Sequence, residues 1–82
     1  MRVRMLYFAW VREAIGVGEE IVDAAGSASV AQLLDALAET SEGHSQAFAD
    51  RSRLRAAVDG LFVPLDAPVG AEVAIFPPVT GG

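Results

Sequence analysis

The residues best placed to do chemistry stand together at the end of the sequence: Pro77-Pro78-Val79-Thr80-Gly81-Gly82. Two consecutive prolines favour extended polyproline II backbone and cannot join a sheet interior. Phe76, just before them, is also pushed toward extended φ/ψ. The chain is therefore expected to leave its last strand straight. At about 3.3 Å per residue, six residues can project roughly 20 Å. Gly81 and Gly82 have no Cβ, so this end can thread a narrow channel and let another protein's groups approach its backbone closely. The expected working group is the carboxyl of Gly82 itself, with Pro77, Pro78, Val79, Thr80 and Gly81 as the tail that delivers it. A frayed terminus is the ordinary alternative; the proline pair that stiffens the exit weighs against it.

Other candidates are weaker. Gly16-x-Gly18 is a fragment of a phosphate-binding loop without its third glycine or the helix that would follow, and a hairpin turn is the better reading. Arg51, Arg53 and Arg55 alternate, which puts them on one strand face or edge. There they either balance local acidic residues or meet an acidic partner. His44 reads as a surface residue near a helix start, with no second histidine to share a metal. The Glu19-Glu20 pair and the other carboxylates show no spacing for metal binding or acid–base work. With no cysteine in the chain, disulfides, thiolate chemistry and zinc–thiolate sites are excluded. With all six basic residues arginine and no lysine, no side chain can form a Schiff base or accept an isopeptide bond. No metal and no cofactor is expected on this chain itself.

A scaffold must hold the tail. The 82 residues suffice for one domain, and a domain this small buries only roughly 60% of the surface its unfolded chain exposes. A hydrophobic share of 52% supplies a compact core and excludes a disordered chain. The formal net charge of -5 repels phosphate backbones, so nucleic acid is not an expected partner. The longest apolar run, Met5 to Val11, falls far short of the roughly 20 residues of a membrane span. Arg2 and Arg4 precede it as in a signal peptide, yet Arg12-Glu13 follows at once without a small-residue cleavage site. No membrane segment and a cytoplasmic location are expected.

Residues 2–9 alternate early, with Val3, Met5 and Tyr7 opposite Arg2 and Arg4. From Leu6 onward both faces are apolar, so the run to Val11 reads as a buried strand near the centre of its sheet. Gly16-Val17-Gly18 marks a turn, and Glu19 to Ala24 reads as a second strand in a hairpin with the first. Ser29-Val30-Ala31-Gln32 fits a capping box. Val30, Leu33, Leu34 and Leu37 then mark one apolar helix face, with Gly43 as the expected stop. Residues 44–50 suggest a short further turn of helix with Phe48 inward. Arg53 to Val58 alternates again, Asp59-Gly60 is a type I′ hairpin signal, and Leu61 to Val63 returns as a short strand. After a loop marked by Pro64, Pro68 and Gly70, Glu72 to Phe76 is the last strand. The order is β-β-α-β-β with an optional short strand, giving a domain over 1–76 and a tail over 77–82. Alternation with Tyr7, with Leu61 and Val63, and with Ile75 places Phe8, Phe62 and Phe76 on the face opposite the helix. Such an uncovered aromatic cluster is an expected partner interface beside the tail's exit. The competing reading packs the rings into a second small core under the 64–70 loop.

Two stretches carry a resemblance. Leu6-Tyr7-Phe8-Ala9 followed by Arg12-Glu13, and above all Glu72-Val73-Ala74-Ile75-Phe76-Pro77-Pro78-Val79-Thr80-Gly81-Gly82, resemble the small, sulfur-carrying subunits of molybdopterin synthases. The resemblance spans essentially the whole chain. Asp59 departs from the asparagine frequent in that family, and Ala71 from an aspartate. The resemblance implies an α+β fold of the ubiquitin-like β-grasp kind, a mixed sheet of four to five strands packed on one main helix. It implies that a partner resembling ubiquitin-activating enzymes uses ATP and magnesium to adenylate Gly82. A sulfur donor then displaces AMP to leave a thiocarboxylate. The tail would deliver that sulfur to a pterin precursor in the catalytic large subunit, which would supply the side-chain catalysis. Two alternatives stay open: a sulfur carrier for thiamine thiazole synthesis, and a ubiquitin-like interaction module whose tail does no chemistry.

Overall fold

Alternation builds the first strand. In β1 (Arg2–Tyr7) Val3, Met5 and Tyr7 are buried, while Arg2 and Arg4 stay in solvent. The computed structural model describes residues 1–78 of the chain. β1 stops at Tyr7 and does not run on to Val11 as the apolar run suggested. Ala9, at φ 53°, turns the chain, and α1 (Ala9–Ile15) follows. Trp10, Val11, Ala14 and Ile15 recur at helical spacing, and this stripe packs on the core with Val11 fully buried. The helical burial outweighs a local pattern that reads equally well as strand. Gly16, at φ 99°, ends α1, its amide donating to the Arg12 carbonyl at 2.8 Å. The 16–18 stretch therefore closes a helix instead of forming a tight hairpin turn. β2 (Glu19–Asp23) still pairs antiparallel with β1.

Ser29 caps α2 (Val30–Ala38), its Oγ accepting from the Gln32 amide at 3.2 Å. The Gln32 side chain reaches back to accept from the Ala28 amide at 2.7 Å. α2 ends at Ala38, well before Gly43. Gly43 instead lies inside a further helix, α3 (Glu42–Ala47). A Cβ there would come within 2.5 Å of the Ala14 carbonyl oxygen, so the glycine lets α3 press against the end of α1. Phe48 follows α3 and is buried, as expected.

Residues Arg51–Arg53 form a 3-10 turn capped by the Asp50 carboxylate, which accepts from the Ser52 amide. Strand β3 (Arg55–Val58) thus begins two residues later than the alternation suggested. Asp59 and Gly60 take φ of 50° and 85°, the paired positive values a type I′ turn requires, and β4 (Leu61–Val63) returns along β3. The Asp59 carboxylate also accepts from the Glu72 amide at 2.9 Å, which ties this hairpin to the start of β5 (Glu72–Phe76).

The five strands lie in the order β2-β1-β5-β3-β4. β5 pairs parallel with β1 and antiparallel with β3, so the sheet is mixed. α2 lays Val30, Leu33, Leu34 and Leu37 into one core with Val3, Met5, Tyr7, Val73 and Ile75. Truncating Leu33 or Leu34, both fully buried, would cost about 2–5 kcal/mol. No helix among the described residues is long and apolar enough to cross a membrane.

Candidate functional site

The tail leaves from the middle of the sheet. β5 is the central strand, and its last registered pairs are Ile75 with Tyr7 and Phe76 with Arg55. The Phe8 amide donates to the Ile75 carbonyl at 3.2 Å, extending the β1 side by one more bond. Pro77 and Pro78 follow and are half-buried. Val79, Thr80, Gly81 and Gly82, the remaining tail positions, lie outside the described residues.

The sheet face turned away from α2 is uncovered beside this exit. Register explains its composition. Leu6 stands beside Ala74, Ala74 beside Ala57, and Ala57 beside Phe62, so one row crosses four strands. The two alanines leave a shallow groove of about 430 Å³, rimmed by Leu6, Phe8, Phe62 and Phe76. The rings of Phe62 and Phe76 pack at 5.5 Å between centroids. Phe62 is 81% exposed and Phe8 49%, while Phe76 is half-buried. None of the three belongs to the buried cluster under α2. Arg4, paired with Glu19 at 2.7 Å, bounds the apolar strip on one side. Arg55, which lines a smaller hollow with Phe62 and Phe76, bounds it on the other.

The alternating arginines separate. Arg51 turns inward, donating to the Phe48 carbonyl at 2.6 Å and to Asp35 at 2.7 Å, and so joins α2 to the segment after α3. Arg53 lies over the Trp10 ring, its guanidinium carbon 4.4 Å from the centroid. Arg55 alone sits in a strand. The expected shared strand face does not form because the 3-10 turn breaks the period of two.

His44 is buried and not on the surface. Its Nε2 lies 2.6 Å from Glu20 Oε2, and its Nδ1 lies 2.6 Å from Ser41 Oγ. Tyr7 donates to the same Glu20 oxygen at 2.6 Å. Both ring nitrogens are thus hydrogen-bonded, Nε2 with the Glu20 carboxylate and Nδ1 with the Ser41 hydroxyl. Glu20 shares the inner side of β2 with Val22, and a carboxylate turned inward requires such partners. That shared side was the available signal, since Ile21-Val22 was already identifiable as the centre of a strand. Burial first, and then the hydrogen bond and charge of Glu20, push the Tyr7 hydroxyl far above its ordinary range. The network is internally satisfied, and among the described residues no three His, Cys, Asp or Glu side chains converge to hold a metal ion. Its work is to fasten α3 to β1 and β2.

The geometry therefore concentrates on one apolar face and one strand end. Comparison with known proteins supplies the family. The chain is 42% identical, over 98% of its length and 99% of the relative's, to the molybdopterin synthase sulfur carrier subunit of Escherichia coli. The crystal structure of SAMP1 from Haloferax volcanii superposes with a TM-score of 0.73 at 29% identity, covering all of both chains. A Pyrococcus furiosus protein, provisionally described as molybdopterin converting factor, subunit 1, superposes at 0.72 with 29% identity, covering 96% of this chain and 99% of that one. These likenesses fit the ubiquitin-like β-grasp architecture that the resemblance implied. The ThiS family model matches residues 5–82, and the chain belongs to the ThiS family.

Proposed function

We propose that this protein is a sulfur carrier in molybdenum cofactor biosynthesis, the small subunit of a molybdopterin synthase, with the carboxyl of Gly82 as its working group. The observation that carries the reading is the uncovered Leu6–Phe8–Phe62–Phe76 face lying directly beside the strand end from which the Gly-Gly tail departs. A partner that docks on this face receives the tail. The 42% identity to the Escherichia coli carrier subunit, over nearly the full length of both chains, supports the assignment of pathway.

The chemistry follows from the terminus. An α-carboxyl group has a pKa of about 3.3–3.7 and is ionised at neutral pH, and an ionised carboxylate is a poor electrophile. A ubiquitin-activating-like enzyme supplies ATP and magnesium, the carboxylate attacks the α-phosphate, and pyrophosphate leaves. A sulfur donor then displaces AMP and leaves a thiocarboxylate. The chain itself holds neither nucleotide nor metal in this scheme. It delivers the sulfur, and a large subunit docked on Phe8, Phe62 and Phe76 supplies the catalytic side chains. The proposed setting is the cytoplasm.

Intact-mass measurement on the protein taken from cells tests this reading. A carrier shows a fraction heavier by one oxygen-to-sulfur exchange, and deletion of Gly82 removes that fraction and all product while leaving the fold intact. Undiminished product from a chain lacking Gly82 would defeat the proposal. A second reading, attachment of Gly82 to lysines of other proteins, draws on the likeness to the Haloferax volcanii small archaeal modifier protein 1. It predicts adducts on those proteins instead of a sulfur-bearing free carrier.

A further inference from the structure

The contact between Trp10 and Arg53 has an unusual position. Trp10 lies three residues beyond the last β1 residue paired with β5, and Arg53 lies two residues before the first β3 residue paired with it. β1 and β3 flank β5 on opposite sides. Neighbouring strands are about 4.8 Å apart, so β1 and β3 are separated by roughly 10 Å with β5 between them. Phe8 and Leu54 both keep extended backbone, which carries both flanking segments past the end of β5. Ala9, at φ 53°, then bends the β1 side out of line, and the 3-10 turn bends the β3 side. The two segments nevertheless touch, with the guanidinium carbon 4.4 Å from the indole centroid. A contact that joins the two flanks beyond the end of the central strand spans the extension of β5, next to the point where the proline pair begins. Both prolines are half-buried.

We propose that Trp10 and Arg53 form a strap across the tail's exit, and that this strap sets the direction in which the tail is presented to the enzyme that activates Gly82. The inference rests on the sulfur-carrier reading. The pair are positioning residues: they are separated from the reacting carboxyl by the length of the tail. A proline pair is stiff, so a small change of angle at Pro77 becomes a large displacement at the far end. The strap keeps the exit in one direction; without it only a fraction of molecules present the tail correctly, and apparent affinity falls by that fraction. The loss therefore falls on KM, while kcat at saturating carrier is preserved. A cation–π contact of this exposure corresponds to about a two- to fivefold effect.

The test is a double-mutant cycle on ATP–pyrophosphate exchange by the cognate adenylating enzyme, with the intact 82-residue chain as substrate. Arg53→Gln and Trp10→Leu are each expected to raise KM about two- to fivefold with kcat near wild type, and Arg53→Gln is expected to keep the thermal midpoint as well. The double variant is expected to be no worse than either single one, because the two side chains act as a unit. Arg53→Lys and Trp10→Phe, which keep a cation over a ring, are expected to restore most of the affinity. Multiplying losses in the double variant would mean that each residue meets the partner separately, and would overturn the strap. Wild-type KM in Arg53→Gln would overturn it alone, even if Trp10→Leu proved unstable, since Arg53 is an exposed side chain. A wild-type chain that is never adenylated would instead overturn the carrier reading, and the strap with it.

Discussion

Tyr7 is the single tyrosine of a chain with no lysine and no cysteine. Arginine side chains stay protonated to a pH above about 12, so Tyr7 is the one side chain expected to titrate in the moderately alkaline range. In the folded protein burial and Glu20 raise its pKa, and the neutral hydroxyl donates to the Glu20 carboxylate. In the unfolded chain it ionises near its usual value of about 10. The sign follows. Below about pH 10 both states keep the proton and the stabilisation is fully present; above it the unfolded state loses a proton that the folded state retains. Stability then falls by up to about 1.4 kcal/mol per pH unit. The thermal midpoint should therefore drop through this range, with tyrosinate absorbance appearing only as the protein melts. Tyr7→Phe should flatten that alkaline drop while losing about 1 kcal/mol at neutral pH. A tyrosinate signal near pH 10 with the fold intact would contradict the buried hydrogen bond.

At the scale of elements, α1 and α3 depend on one another. Gly43 faces the carbonyl of Ala14 and the Cα of Ile15, where a methyl group would stand at 2.5 Å and 3.2 Å. Both obstacles are backbone, so neither can swing aside. Gly43→Ala should therefore lose about 1–3 kcal/mol in urea unfolding, although alanine is the better helix former by about 1 kcal/mol. A stabilised variant would mean that the two helices are free to separate. The same pair of helices shows where local reading stopped. Trp10, Val11, Ala14 and Ile15 fit a helix once Ala9 breaks the strand, but the preceding alternation makes the run read as strand. Gly43 reads as a helix stop, because a glycine inside a helix is understood only when the neighbour it admits is known.

At the scale of the molecule, α2 covers one face of the sheet and leaves the other free. Phe62 stands 81% exposed on that free face and packs on Phe76 at 5.5 Å. Phe62→Asp should alter stability by no more than about 0.5 kcal/mol, as for most surface changes. It should weaken large-subunit binding by about tenfold or more if the ring is an interface anchor. Titration calorimetry with the large subunit, together with a melting curve, checks both expectations. Unchanged binding would move the docking face elsewhere, and an unfolded variant would show that the ring belongs to the core.

Features encoded within a few residues were legible in the chain itself. The Ser29–Gln32 cap, the Asp59-Gly60 turn, the apolar stripe of α2 and the proline stop after Phe76 each depend on neighbours close in sequence. They gave the order of elements, and the resemblance carried by the two terminal stretches named the β-grasp arrangement that this order fits. Contacts between distant segments were not legible, because alternation states which side a residue takes without naming what meets it there. The parallel pairing of β1 with β5 joins residues near opposite ends of the chain. Glu20 and His44, 24 residues apart, find one another only when the fold brings their side chains within 2.6 Å. Arg53 reaches Trp10 only because β5 runs between the strands that precede and follow them. The tail's composition belongs to the sequence; the face beside it and the contact across its exit belong to the fold, since both arise from strands brought together over long loops.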